Sequence, residues 1–151
     1  MKKFIKLQLA IIIACALCIA SCSKKDDTPK PPDTKTLLTA KTWSVVKLGN
    51  DDNKNGIIDD NELKPPSASV VFYFTFNNDG TLSVKQSDGK STLTATYSWE
   101  LTDAQTIKLN NQALNATVYW HIKTLTTDQF NVDQYEADNA TLSSGVQCIP
   151  Q

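Results

Sequence analysis

From residue 69 to residue 135 apolar and polar residues alternate with a period of two, interrupted by Asp-Gly turns, and this constrains the fold more than any other feature of the chain. Over 69–77, Val70, Phe72, Phe74 and Phe76 fall on one face and Val71, Tyr73 and Thr75 on the other. Successive side chains of a strand point to opposite faces, so the segment reads as a strand. Leu82 and Val84 alternate with Ser83 and Lys85 just past the turn Asn77-Asn78-Asp79-Gly80, and Ser87-Asp88-Gly89-Lys90 repeats the device. Leu93, Ala95, Tyr97, Trp99 and Leu101 then alternate with Thr92, Thr94, Thr96, Ser98 and Glu100, the half-buried pattern of an antiparallel sheet with one wet face.

Shorter runs lie at 42–48, 106–109, 117–125 and 129–135, and a weak final run lies near 140–148. Together they predict an all-β fold of about eight strands in meander order, an antiparallel up-and-down barrel or, alternatively, a β-sandwich. Proline stands only at 29, 31, 32, 65, 66 and 150, so no strand is interrupted. One helical turn is expected at 36–41. No segment has the period of a longer amphipathic helix, which argues against an α/β architecture.

The N-terminus addresses the protein to a compartment. Lys2, Lys3 and Lys6 precede an apolar stretch from 7 to 19, too short to span a bilayer comfortably, and the pair reads as a signal peptide over 1–21. Ile19-Ala20-Ser21-Cys22 resembles the bacterial lipobox, which implies cleavage before Cys22 and acylation of that cysteine, palmitate included. Several acyl chains on one residue hold a protein stably on a membrane, where one chain does not. An ordinary secretory cleavage near Ala20 is the competing reading and leaves a soluble protein with a free thiol. Residues 22–35 carry three prolines and four lysines among polar neighbours and read as a flexible tether, leaving 36–151 for one domain. Ser23-Lys24-Lys25-Asp26-Asp27 resembles the short charged signal that directs some Gram-negative lipoproteins to the outer cell surface, which implies a lipid-anchored place at the cell outer membrane.

Cysteine use agrees. Cys15 and Cys18 belong to the signal peptide and Cys22 to the anchor, so Cys148 has no intrachain partner and no disulfide framework exists. Cys148 reads as a small apolar residue near the last strand. Removing Lys2, Lys3 and Lys6 leaves 12 of 15 lysines against 16 acids, a net charge of −4, and the chain has no arginine. A nucleic-acid partner is therefore not expected.

The run Asp51-Asp52-Asn53-Lys54-Asn55-Gly56-Ile57-Ile58-Asp59-Asp60-Asn61-Glu62 matches the calcium-loop pattern D-x-[DN]-x-[DN]-G-x5-E at every specified position. Calcium takes six to eight hard oxygens at relaxed geometry, and alternate residues of one short loop can supply most of them. Asp51, Asn53 and Asn55 offer side-chain oxygens, Ile57 its carbonyl, Asp59 an oxygen directly or through water, and Glu62 both carboxylate oxygens, while Gly56 permits the sharp turn. Ile58 stands where such loops place an inward-packing apolar residue. Five acids and Lys54 give 51–62 a net charge of −4, so the folded loop repels itself without a cation. The plainer reading is a solvated Asp/Asn/Gly turn. Pro65-Pro66 and the strand at 42–48 exclude a helix-flanked sensor, so Ca2+ is expected as a weak structural ion with a dissociation constant on the order of 10⁻⁴ to 10⁻³ M.

Leu37-Leu38-Thr39-Ala40-Lys41-Thr42-Trp43, followed by a strand, resembles the opening of lipocalin-like domains on bacterial lipoproteins. The Phe-rich second strand ending in Asn78-Asp79-Gly80-Thr81-Leu82 and the paired turns to Trp99 fit the same pattern, and the resemblance spans roughly 36–136. It implies an eight-stranded barrel holding one small apolar ligand, with Trp43 as a plug at the base. The weak closing strand departs from the pattern and leaves closure open.

No catalytic constellation is legible. His121, the lone histidine, alternates with Tyr119 and Lys123 opposite Val118, Trp120 and Ile122, which places it on a polar face. No zinc spacing, nucleophile elbow or phosphate loop is present. The sequence thus predicts a lipid-anchored binding module and not an enzyme. Its partners would be the membrane through Cys22, calcium, and a small-molecule or glycan-like ligand. The alternative is a protein-interaction module whose barrel is filled by Phe72, Phe74, Phe76, Tyr97, Trp99 and Trp120.

Overall fold

The structure is a computed structural model and describes residues 33–151; the signal peptide 1–21, Cys22 and the tether through residue 32 lie outside the described residues. A short helix, α1 (Thr34–Thr39), leads into β1 (Thr42–Gly49), β2 (Val71–Phe76), β3 (Thr81–Ser87), β4 (Thr92–Leu101), β5 (Thr106–Asn111), β6 (Ala116–Leu125), β7 (Phe130–Tyr135) and β8 (Leu142–Pro150). Each strand pairs with the next and β8 returns to β1, closing an eight-stranded antiparallel up-and-down barrel. Closure removes the sandwich alternative and leaves no free sheet edge.

Side-chain alternation sets the register. Trp43, Phe74, Val84 and Ala95 stand opposite one another across β1 to β4, and Trp99, Leu109 and Val118 across β4 to β6, so each apolar row of the sequence becomes one inward row of the barrel. The closing strand is the one whose pattern is weak. In β8, Cys148 faces Val45 on one side and Phe130 on the other, and Val146 faces Leu48 and Val132. Its own inward residues are small, and its pairing with two strongly apolar neighbours holds it in place.

The antiparallel order puts α1 and the connections 77–80, 102–105 and 126–129 at one end, the base, and 50–70, 88–91, 112–115 and 136–141 at the other, the mouth. Asp33 caps α1 by accepting from the Thr36 amide at 2.8 Å. This cap starts the helix at 34, two residues ahead of the expected domain start, and the helix ends at 39 instead of 41. The helical segment is strapped across the base. Thr34 Oγ1 donates to Ala104 O at 3.0 Å, Lys35 Nζ to Asn78 O at 3.4 Å, and Lys41 Nζ to Thr127 O, so each of the three base turns receives a donor.

Above α1 sits an aromatic cluster. Trp43 is fully buried with its indole N–H donating to Leu38 O at 3.1 Å, the plug position the resemblance implies. Phe76 meets Trp99 and Phe130 edge-on, with ring centroids 5.2 and 5.8 Å apart, and Phe130 lies 5.5 Å from Trp43. Such pairs contribute about 0.5–1.5 kcal/mol each beyond the area they bury.

The turns share one device. Asp79, Asp88 and Asp138 each accept backbone N–H groups two or three residues ahead together with the hydroxyl of Thr81, Ser91 or Thr141, and Asp103 accepts from the Gln105 amide. These bonds favour the ionised carboxyl, hold all four aspartates below the usual carboxylate range, and bring Asp138 to about 2.

Candidate functional site

Toward the mouth the inward side chains stop filling the barrel. A cavity of about 280 Å³ opens among Phe74, Val84, Tyr97, Leu109, Asn111, Leu114, Ala116, Val118, Trp120 and Gln134. A second cleft of about 160 Å³ shares Phe74 and Gln134 with it and is otherwise lined by Val45, Leu48, Phe72, Ser144 and Val146. Of the six aromatics expected to pack the interior solid, Phe74, Phe76, Trp99 and Trp120 are buried. Phe72 and Tyr97 are only partly buried and line these spaces. The filled barrel is therefore realised at the base alone.

Among the described residues no acidic or basic side chain lines either space. The polar groups are neutral. Asn111 is 7% exposed, and its Oδ1 accepts from the Leu114 amide at 3.2 Å, which fixes the amide group with Nδ2 free of that bond. Ser144 Oγ donates to Gln134 Oε1 at 2.6 Å. Leu114, 73% exposed at the tip of the β5–β6 hairpin, also borders the cavity and gives it an apolar lip. Sequence reasoning did not single out Asn111 or Gln134. Their signal was present, since Asn111 is in phase with Ile107 and Leu109, and Gln134 with Phe130 and Val132; an amide in an inward row needs a reason.

The acidic loop 51–62 leaves the mouth and folds over the outside of the closing seam. Leu48 and Lys64 exchange both backbone bonds at 2.9 Å and pinch its ends together. Two glycines facing each other across β1 and β8 make room for it. A Cβ on Gly145 would meet the Ile58 side chain at 2.9 Å, and one on Gly49 would meet Glu62 O at 2.1 Å. Ile58 is buried at 4% exposure in this outer contact, the inward packing that the loop pattern assigns to it.

Within the loop, the alternate polar residues are tied to one another by short-range hydrogen bonds. Asp51 accepts the Asn55 amide through Oδ1 at 3.0 Å and the Gly56 amide through Oδ2 at 2.7 Å. Asn53 Oδ1 accepts from Asn55 N and Asn55 Oδ1 from Ile57 N, while both Nδ2 groups donate to Asp59 Oδ2 at 3.0 Å. Buried Glu62 spans the loop, accepting from Asn53 N at 3.0 Å and from Asp59 N at 2.9 Å. Gly56, at φ +82°, adopts the conformation its place in the pattern requires. Ile57 turns its side chain outward at 56% exposure. Among the described residues no three His, Cys, Asp or Glu side chains gather closely enough to hold a metal by themselves. A hard cation there would have to draw on these carboxylates together with the Asn53 and Asn55 oxygens, which accept backbone N–H groups, and the Ile57 carbonyl, an all-oxygen set.

The remaining candidates lie apart from the cavity. His121 faces outward on β6, stacks on Tyr135 with centroids 4.2 Å apart, and has Nε2 2.7 Å from Asn139 Oδ1. Cys148 is fully buried, and that burial pushes its thiol up to about 12, so it stays protonated and packs as an apolar residue.

No protein-family model matches the chain, and no curated protein matches it. Among solved structures the chain is similar to bovine lipocalin allergen Bos d 2, at 11% identity and a TM-score of 0.46, over 77% of this chain and 74% of that one. At that identity and overlap the likeness says nothing about ligand, and the architecture stated above stands on the chain's own strand pairing.

Proposed function

We propose that this protein is a non-catalytic, lipid-anchored module of the cell outer membrane that holds a small ligand in the mouth of a lipocalin-like barrel. The observation that carries the reading is the apolar cavity of about 280 Å³ left open above a tightly packed base. An eight-stranded barrel has an interior just wide enough either to be filled by side chains or to hold one small ligand, and this one divides its length between the two. General acid–base chemistry needs titratable groups in reach of the reacting atoms, and among the described residues Tyr97 is the only one lining the cavity. Cys22 supplies the anchor in this reading, and release of the protein from membranes by Cys22→Ser tests it. The ligand is tested by native mass spectrometry of protein purified from envelopes, where an adduct is expected that disappears in Val118→Trp. An adduct-free spectrum in mild extraction contradicts the reading.

Calcium belongs to the proposal as a structural ion. Asp51, Asn53, Asn55, Asp59 and Glu62 would hold it with the Ile57 carbonyl, and its charge would offset the loop's −4. The two amide groups that meet at Asp59 Oδ2 supply only partial positive charge at the point where the carboxylates most need compensation. Millimolar calcium should raise the melting temperature and slow hydrogen exchange over 51–62, and neither change would occur if the loop is a plain solvated turn.

A second reading, a mouth that docks a protein, is favoured by Leu93 and Leu114, exposed at 67% and 73% on mouth hairpins. A partner recovered from cell-surface pull-downs and lost in Leu93→Ser/Leu114→Ser would establish it.

A further inference from the structure

We infer that the mouth cavity selects neutral molecules built from a flat apolar body bearing a hydrogen-bond acceptor, such as a ketone, ester or ether oxygen, and rejects carboxylates; this rests on the reading of the cavity as a ligand site. Two independent properties of the lining carry the inference. The first is its charge. An anion moved into this space would lose its hydration and find no cation among the described residues, none of whose lysines lines it, and an unpaired buried charge is far more costly than a buried neutral dipole.

The second is a surplus of donors. The Asn111 oxygen is occupied by the Leu114 amide and the Gln134 oxygen by the Ser144 hydroxyl, yet neither amide nitrogen has a hydrogen-bond partner among the described residues. Both amides line the main cavity, Asn111 nine-tenths buried, and Gln134 lines the adjoining cleft as well. Neither nitrogen is sealed from solvent, so a ligand oxygen that accepts from one takes the place of a water and makes its hydrogen bond in a mainly apolar, sheltered lining. A ligand that brought only more donors would displace that water without replacing its hydrogen bond.

Shape narrows the class further. Phe74 and Trp120, with ring centroids 5.0 Å apart at 51°, form an angled aromatic wall with Tyr97, Val84 and Leu109 around the same space. Cavities for drug-sized ligands run from about 300 to 1,000 Å³, so one of about 280 Å³ takes a body of roughly two fused rings.

Three isosteric probes test this by calorimetric titration of the purified protein near neutral pH: 2-acetylnaphthalene, 2-isopropylnaphthalene and 2-naphthoate. The ketone should bind about tenfold or more tightly than the carboxylate and several-fold more tightly than the hydrocarbon. Asn111→Asp keeps the oxygen that accepts from Leu114, removes one of the two donors, and should shrink the ketone's advantage over the hydrocarbon severalfold. Should that variant misfold, the ranking in the unmodified protein decides alone. Naphthoate binding as tightly as the ketone overturns the neutral-ligand inference while leaving the cavity as a ligand site. Equal binding of ketone and hydrocarbon overturns the role of the amides. No binding by any of the three overturns the inference and the ligand reading together.

Discussion

At the base of the barrel Trp43, Phe76 and Phe130 are at most 2% exposed, α1 and the Lys41 that follows it are strapped to all three turns, and the Phe130 ring lies 5.5 and 5.8 Å from those of Trp43 and Phe76. At the mouth, a few residues further along the same strands, Phe72 and Tyr97 are partly open and the amides of Asn111 and Gln134 line a mainly apolar space. The same alternation builds both halves, and the difference lies in residue size and polarity along each inward row. Leu82 is followed inward by Val84, Trp99 is preceded by Tyr97 and Ala95, and Phe130 and Val132 give way to Gln134. Tight packing is concentrated at one end, which leaves the other less completely filled, as the proposed binding site requires.

Truncation should separate the two ends most strongly. Phe130→Ala is expected to cost about 3–5 kcal/mol in urea unfolding, because the fully buried ring leaves a cavity among Trp43, Phe76 and Trp120. Val118→Ala at the mouth should cost about 1 kcal/mol, since its site is already open. Comparable losses at both ends would remove the distinction.

The acidic loop 51–62 belongs to neither end, and calcium binding there, as proposed, should come next in size. With a dissociation constant on the order of 10⁻⁴ M, calcium at a hundredfold excess should stabilise the protein by about 2.7 kcal/mol, and Glu62→Gln should abolish most of that gain in thermal melts. Gly145→Val acts on the same loop from beneath. Its added carbons collide with Ile58 and should cost about 1–3 kcal/mol while raising hydrogen exchange across 51–62, with little change at the base.

Filling the mouth should do the reverse of truncating the base. Val84→Phe is expected to change stability by less than about 1.5 kcal/mol and to eliminate ligand adducts, a loss of binding without loss of fold. The smallest effect concerns the turns. Asp138 is held at about 2 in the folded protein, so its contribution is fully present above the ordinary carboxylate range and is lost as pH falls from about 4 through 2. Amide exchange at Thr141 should rise over that interval, and Asp138→Asn should flatten the response.

Much of this was legible in the sequence because a period of two leaves little freedom. The inward phase of β2, β4 and β6 and the outward face of His121 are where alternation places them. The closing strand was hard to see for a physical reason. Gly145 is required beneath Ile58, Ser144 bonds to Gln134, and Cys148 needs to be small between Val45 and Phe130, so β8 carries almost no bulky apolar residue of its own. Its position follows from partners distant in sequence. Asp33 was hidden among the tether's prolines and lysines, where a cap looks like one more polar residue. The cavity was invisible for a different reason, since it depends on how far opposite rows reach across the barrel, which no single strand records.

The most direct test of the two-ended barrel is an amide NMR titration with 2-acetylnaphthalene. Shifts are expected at Val84, Leu109, Asn111, Val118 and Gln134, with Trp43, Phe76, Phe130 and the indole N–H of Trp43 and Trp99 unmoved. Shifts centred on the base or the outer face, or none at saturating probe, would contradict the account.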